Sequence, residues 1–342
     1  VKQVDPTYNK DIVVIGGSTG SGRVLKSLVA GLPADFPASV FISTHVAATS
    51  PSLLSETLAA RANLPVTQAV DGQPIETSTI YIATPDRHLL LMGDTIRLGS
   101  GPKENMARPA VDPMFRSAAM CYGPRVIGAV LTGMLNDGAA GLHAIQSCGG
   151  TTIVQHPVDA EADQMPLAAL HAVDVDYVTT ENEIANLLVQ LAGSKASSIQ
   201  NPPSDALRLE VDIAAGARLG SRALLEIATP TAITCPACHG VLSEVRDTRP
   251  LRFRCQIGHA YTAEALAGLV TEIDEAIRVA MRVMEERVTL VERMARDARD
   301  AGRSTIAELY DERAVEYRRY ASTLREAAIT SLRASSARQQ EL

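Results

Sequence analysis

Between residues 11 and 192, short apolar runs alternate with stretches in which apolar residues recur every three or four positions. The run 11–15 ends in glycines and lacks polar alternation, which predicts a strand buried on both faces of a parallel sheet. Further strands are predicted at 39–43, 65–68, 79–83, 89–92, 95–98, 125–131, 151–155 and 176–178. Gly93-Asp94 joins two of them as a hairpin signal. Helical spacing falls at 21–30, 51–62, 112–121, 138–147, 165–171 and 182–191. Strand and helix in alternation predict a doubly wound, mostly parallel α/β sheet with helices on both faces.

The pattern then changes. Residues 193–230 read as a linker, richest in Ser, Pro, Asn and Gly over 193–205. A small Cys-containing module is predicted at 231–262 and an α-helical hairpin at 263–335. In the first helix of the hairpin, steps of three and four from Leu266 to Val291 draw one apolar stripe. Gly302 interrupts it, and Thr305 with Glu308 fits a capping box that opens the second helix. Residues 1–10 are polar and expected to be loose.

Composition narrows the function classes. The 342 residues exceed one ordinary core, and 46% hydrophobic against 21% charged residues is a folded rather than a disordered balance. A net charge of −7 argues against nucleic acid as a partner, because phosphate binding wants a basic surface. No run approaches the ~20 apolar residues of a membrane span. No basic, apolar, small-residue order opens the chain, so a non-integral, cytoplasmic protein is expected. Five cysteines, an odd number in a long chain, do not suggest a disulfide framework. Cys121 and Cys148 read as core residues.

Gly16-Gly17-Ser18-Thr19-Gly20 follows the first strand and fits G-x-S-x-G, a tight turn that exposes a serine at the C-terminal edge of a sheet. The same glycines also fit a dinucleotide-binding turn or a purely structural βα turn. The oxidoreductases with this spacing carry Tyr-x-x-x-Lys, which is missing here. A serine nucleophile needs a base and the base an orienting acid. His45 follows the second strand and Asp137 follows the strand 125–131, so both return to the edge that carries Ser18. A surface histidine and a helix-capping aspartate are the plainer readings of each alone. The order Ser, Asp, His of ordinary α/β-hydrolases would instead require His143, His156 or His171.

Taken together, Gly16–Gly20, Ser43-Thr44-His45, Arg108-Pro109-Ala110-Val111-Asp112 and the segment from Leu131 to Gly138 resemble the catalytic domain of the CheB family, with further matches at Tyr81-Ile82-Ala83 and Gln164-Met165-Pro166. The resemblance covers about 11–192. It implies a serine methylesterase that needs no cofactor for catalysis. Such an enzyme removes methyl groups from glutamate esters on chemoreceptor cytoplasmic helices, releases methanol, and also deamidates glutamine. By position, it implies Ser18 as nucleophile, His45 as base, Asp137 as acid and the Met134 N–H as oxyanion donor, with Thr19 and Gly133 beside them. Leu135 stands where the family usually has Gly, and 46–50 lacks the Met-Pro that commonly follows the His. The family's N-terminal receiver domain has no counterpart in residues 1–10, so it lies outside this sequence or control is exerted otherwise. An esterase acting on another target and a signalling scaffold with a vestigial site remain the alternatives.

Cys235-Pro236-Ala237-Cys238 and Cys255-x-x-x-His259 are two short ligand pairs separated by a loop, the spacing of a structural zinc site; His239 could replace His259. Redox chemistry or buried small side chains are the other readings. The missing receiver and the long apolar stripe suggest that this module and the hairpin contact a regulatory partner.

Overall fold

The computed structural model describes residues 8–46, 53–197, 202–217, 221–246, 249–267 and 270–340. The first region runs β1 (Ile12–Gly17), α1 (Ser21–Gly31), β2 (Ser39–Thr44), α2 (Leu54–Ala59), β3 (Val66–Gln68), β4 (Ile80–Ile82), β5 (His88–Met92), β6 (Thr95–Gly99), α3 (Val111–Tyr122), β7 (Val126–Val130), α4 (Ala139–Ser147), β8 (Thr151–Gln155), α5 (Gln164–Ala172), β9 (Tyr177–Thr179) and α6 (Ile184–Leu191). Seven strands form one parallel sheet in the order β3-β4-β2-β1-β7-β8-β9. β5 and β6 make a separate antiparallel hairpin around Gly93-Asp94.

The sheet is apolar on both faces because helices cover both. Val13, Ile15, Val40, Ile42 and Ile127 point toward α1 and α6, burying Leu25, Leu28, Ile184 and Leu188. Their neighbours Val14, Phe41, Tyr81 and Val130 point the other way, against Phe115 of α3, Leu142 of α4 and Met165 of α5. This is the period-two alternation of a strand read out on two cores at once. The chain winds from β1 to one side through β2 and β4, then returns to build β7, β8 and β9 on the other. The switch point lies between β1 and β7, where ligands of open α/β sheets bind outside the carboxyl ends of the strands.

Two expectations need correction. Residues 8–10 are not loose: Lys10 N–H donates to Ser194 O (2.9 Å) and accepts from Gly193 N–H (2.8 Å) at its carbonyl, which ties the start of the sheet to the end of the domain. Residues 1–7 and the first part of the helix expected over 51–62 lie outside the described residues. Cys121 is exposed on α3, whereas Cys148 is buried as expected.

The stretch read as linker carries α7 (Asp205–Ala215) and α8 (Ser221–Ile227). Ser204 caps α7, its Oγ accepting from Leu207 N–H at 3.1 Å. Turn residues hid this helix in the sequence, but Leu207, Val211 and Ala214 give it a buried face. β10 (Ala228–Thr234), β11 (Val241–Val245), β12 (Arg252–Cys255) and β13 (Ala260–Thr262) then form a four-stranded antiparallel sheet. The short α9 (Ala263–Ala267) follows.

The described residues fall into two compact units, divided between Leu266 and Ala267. The second holds α10 (Val270–Asp300) and α11 (Ser304–Gln340). Their ion pairs Glu292–Arg318 (2.6 Å) and Glu285–Arg325 (2.5 Å) run in opposite chain directions, so the hairpin is antiparallel. Val291, Ala295 and Ala298 are buried along with Ala307, Ala314 and Ala321, so small residues let the two helices approach closely.

A buried ionic network crosses from the α/β domain into the smaller sheet. Glu104 pairs with Arg116 of α3 and with Arg254 of β12 (3.0 Å); Glu210 of α7 pairs with Arg254 (3.1 Å) and with Arg252 (2.7 Å). Burial opposes ionisation of both glutamates, and the arginines overcome it, holding both carboxyls below their ordinary range. Glu210 is the sole ion-pair partner of Arg252 among the described residues. Glu210→Ala is therefore expected to destabilise the first unit by about 3–5 kcal/mol, the cost of stranding a buried charge. Urea denaturation followed by circular dichroism measures it.

Candidate functional site

Ser18 sits in the turn between β1 and α1. That turn is tight because the strand end meets a helix end-on: a Cβ on Gly16 would lie 2.2 Å from Cγ1 of Val111. The absent side chain lets the first residue of α3 reach the sheet edge. Ser18 is held by its own N–H, which donates to Thr132 O at 2.9 Å, and by Ser21 Oγ, which donates to its carbonyl at 2.6 Å.

The structure brings Ser18, His45 and Asp137 together. His45 Nδ1 lies 3.1 Å from Ser18 Oγ, and His45 Nε2 lies 2.7 Å from Asp137 Oδ2. A carboxylate only accepts, so Nε2 carries the hydrogen and Nδ1 presents its lone pair to the serine. The imidazole is 22% exposed and Asp137 not at all. His45, and not His143, His156 or His171, is the histidine that hydrogen-bonds to Ser18 among the described residues.

Asp137 is held from every side. Its Oδ2 also accepts from Val111 N–H (2.6 Å); its Oδ1 accepts from Asp112 N–H (3.1 Å), Gly138 N–H (3.0 Å) and Asn105 Nδ2 (3.3 Å). Val111 and Asp112 open α3, so the carboxylate sits at a helix N-terminus, where free N–H groups favour negative charge. Burial works against the charge, but the His45 hydrogen bond and these donors outweigh it, and the carboxyl lies below its ordinary range. Asp112, equally buried, moves the other way. Burial and the neighbouring Asp137 push it up to about 7. For His45, burial disfavours the cation, yet Asp137 and then Asp112 raise its pKa above the ordinary value of 6.5. His88, wholly buried behind them, is kept neutral by burial. One of its nitrogens faces Pro102 O and the other accepts from Ala110 N–H.

The loop 131–138 lines the other side. Met134 N–H makes no hydrogen bond among the described residues, and its side chain is exposed. Gly133 donates its N–H to Ala162 O at 2.9 Å. It serves as a spacer, because a Cβ there would fall 2.2 Å from Met165 Sδ and 2.9 Å from Ser18 Cβ. Thr19 is exposed at the rim. Leu135, which stands at the unusual position, adopts φ 63°, a left-handed conformation that costs a branched residue energy. Gln164 Oε1 accepts its N–H at 2.8 Å and holds the turn.

Sequence reasoning missed Asn105. It lies in the loop before α3 with φ 47°, a conformation asparagine tolerates, and donates to both Asp112 and Asp137. The positive φ and the polar character of a lone Asn carry no spacing signal.

The second candidate site is in the small sheet. Cys235, Cys238, Cys255 and His259 converge with their ligand atoms all within 4.8 Å of one another. Cys238 Sγ lies 3.6 Å from Cys255 Sγ, and His259 Nδ1 lies 3.8 Å from Cys235 Sγ and 3.5 Å from Cys255 Sγ. A tetrahedral Zn2+ with bonds of about 2.3 Å to sulfur and 2.0–2.1 Å to nitrogen has ligand–ligand edges of roughly 3.5–3.8 Å. The cluster fits that cation, and His259 rather than His239 completes it. The distances between sulfurs are too long for any disulfide.

A doubly wound α/β domain with a buried Asp–His–Ser hydrogen-bond chain at its switch point is the class of protein these observations define. Residues 13–188 match the CheB methylesterase family, and the chain belongs to that family. A putative protein-glutamate methylesterase/protein-glutamine glutaminase of Leptospira interrogans is 35% identical over 184 residues, covering 54% of this chain and 95% of that protein. The protein-glutamate methylesterase/protein-glutamine glutaminase 2 of Anaeromyxobacter dehalogenans is 39% identical over 181 residues, and this chain spans only 53% of its length. The crystal structure of the Thermotoga maritima CheB methylesterase catalytic domain is matched over all of its length and 54% of this chain, with 32% identity and a TM-score of 0.52. Family and fold expectations are borne out for the α/β region; the small sheet and the hairpin lie beyond the matched residues.

The raised pKa of His45 carries a sign. Its pairing stabilises the fold fully below about 6.5, and that contribution fades as pH rises through the higher folded value. A histidine NMR titration is expected to give a His45 midpoint above 6.5 in the wild type and a lower one in Asp137→Asn, where the charge that favours the cation is gone.

Proposed function

We propose that this chain is a protein-glutamate methylesterase whose catalytic group is Ser18–His45–Asp137. The observation that carries the reading is the continuous hydrogen-bond chain from the serine hydroxyl through Nδ1 and Nε2 to a fully buried carboxylate. Ser18 Oγ bonds to the ester carbonyl carbon while its proton passes to His45 Nδ1. The free N–H of Met134 receives the oxygen on which negative charge develops. The carbon–oxygen bond to the methyl group's oxygen then breaks, and methanol leaves with the proton from His45. Water, deprotonated by the same nitrogen, attacks the acyl-serine and regenerates Ser18 with a free glutamate. A glutamine amide can follow the same route with ammonia as leaving group. Asp137 holds the tautomer and stabilises the imidazolium throughout.

The substrates proposed are methylated glutamates on the cytoplasmic helices of chemoreceptors, as the family relationship suggests, and the setting proposed is the cytoplasm. Among the described residues no helix is long and apolar enough to cross a membrane. The Cys235/Cys238/Cys255/His259 cluster is proposed to hold a structural Zn2+, and the hairpin of α10 and α11 to contact a regulatory partner.

Methanol release from methylated receptor fragments is expected to fall by about 10⁴-fold or more in Ser18→Ala. Equal rates in wild type and variant would remove the esterase reading. The wild-type rate is expected to rise with pH through a midpoint above 6.5, as His45 loses its proton. Metal analysis is expected to find one zinc per chain, and Co2+ in its place should give thiolate charge-transfer absorption that Cys238→Ser weakens.

A further inference from the structure

The small Cys-containing sheet touches the α/β domain at one place of consequence. The chain leaves the ligand His259 directly into β13, and β13 lies against the loop that carries Asn105. Ala260 N–H reaches Lys103 O at 3.4 Å, and Asn105 N–H donates to Ala260 O at 2.9 Å, so 103–105 pairs with the sheet edge as a short added strand. Thr262 N–H donates to the side-chain oxygen of Asn105 (3.3 Å), whose amide nitrogen in turn donates to Asp137. Asn136, next to Asp137 in the chain, donates its amide to Thr262 Oγ1 and to Glu264 (2.9 Å). Arg254 makes a parallel link. It is fully buried, donates to Gly258 O inside the turn between the two ligands (2.8 Å), and pairs with Glu104 beside Asn105.

The Cys255–His259 turn and the acid behind His45 are thus joined through adjacent backbone and a short series of hydrogen bonds. Around the ligands the small sheet buries Cys235, Leu242, Phe253, Cys255 and Tyr261, while Ala228 and Val245 pack separately against Leu224 and Ile227 of α8. Two of those five residues, Cys235 and Cys255, are themselves ligands, so a bound cation would add to the order of the ligand turns. Whatever tightens the Cys255–His259 turn tightens β13, and β13 determines where the amides of Asn105 and Asn136 point.

We propose that the Cys235/Cys238/Cys255/His259 cluster, holding a tetrahedral divalent cation such as Zn2+, is a positioning element of the Ser18 site, acting through β13 and through Asn105 and Asn136 on the carboxylate of Asp137. Asn105 and Asn136 are positioning residues. Neither amide hydrogen-bonds to Ser18; Asn105 donates to the carboxylate that orients His45, and Asn136 is the chain neighbour of Asp137. The inference rests on the esterase reading for its consequence in rate, but the coupling itself is a property of the folded chain. Asn105 donates to Asp137 Oδ1, whereas His45 donates to Oδ2, so the module reaches the acid through the oxygen that the base does not use.

The test uses the full chain in four forms: zinc-loaded wild type, wild type stripped by chelation, and zinc-loaded Asn105→Gly and Thr262→Val. Glycine keeps the left-handed backbone at 105 while deleting the amide. Valine removes the hydroxyl that Asn136 reaches. Both variants retain all four ligands. The readouts are the His45 NMR midpoint, assigned by its loss in His45→Gln, together with kcat and KM for Ser18-dependent methanol release. The groups whose charge faces His45 are Asp137 and Asp112, so a misdirected Asp137 is expected to bring the midpoint down toward 6.5. The proposal expects that fall in both variants with one zinc still bound, a kcat lower by about tenfold or more, and KM little changed. Stripped wild type should move the same way, and should recover when Zn2+ alone is returned.

An unmoved midpoint in both variants overturns the proposal, whether or not kcat falls, because a loss of folded protein lowers amplitude without moving a pKa. If chelation unfolds the chain, the two variants decide alone. A midpoint that moves in a chain showing no Ser18-dependent hydrolysis would sink the esterase reading and leave the coupling standing. Hydrolysis with an immovable midpoint would do the reverse.

Discussion

A carboxylate without any solvent contact must be surrounded by donors, and the structure is arranged around meeting that demand for Asp137. Transfer of an unpaired charge into a protein interior is costly, and the group would take up a proton instead. Here the first N–H groups of α3, the Gly138 N–H, the Asn105 amide and the His45 ring close on the two oxygens. Each donor has its own requirement. α3 can begin at the sheet edge only because Gly16 has no side chain to meet Val111. Asn105 can point inward only because its backbone bends into the left-handed region. His45 can meet the acid only because parallel β2 ends beside β1 in register, Thr44 opposite Gly17.

The same electrostatics divides the roles of two adjacent acids. Asp112 and Asp137 are close, both buried, and share the Asn105 amide. Two neighbouring carboxyls do not ionise independently, and the environment chooses between them. Asp137 has the imidazole and keeps its charge; Asp112 has burial and its neighbour's charge, and holds its proton toward neutrality. An ionised acid beside the imidazole favours its cation, which is what the proposed role of His45 as base requires.

Outside the family-matched region the chain uses charge where it lacks apolar mass. The small sheet has few buried hydrophobes, and its attachment to the α/β domain runs through Glu104, Arg116, Glu210, Arg252 and Arg254. Such a network contributes less net stability than an apolar interface of equal size, but it is sharply directional. Directional contacts suit a module whose edge strand must meet one loop in one register. The hairpin of α10 and α11 is held differently, by an alanine-rich seam flanked by exposed ion pairs.

Features that depend on local spacing were legible in the chain alone. The apolar runs marked the strands, the turn after β1 marked Ser18, and the strand ends marked the edge to which His45 and Asp137 return. The two ligand pairs marked the metal cluster by the same logic, since a tight turn fixes the distance between residues three or four apart. The hidden features are those that join distant parts. Nothing near Asn105 announces Thr262, 157 residues away, and nothing in the Ser- and Pro-rich stretch after 193 announces that Glu210 will sit buried between two arginines. Long-range partners leave no period in a sequence, because a hydrogen bond constrains positions in space and not intervals along the chain. Which residues could do chemistry was therefore written locally, and how they are held to do it was decided by packing.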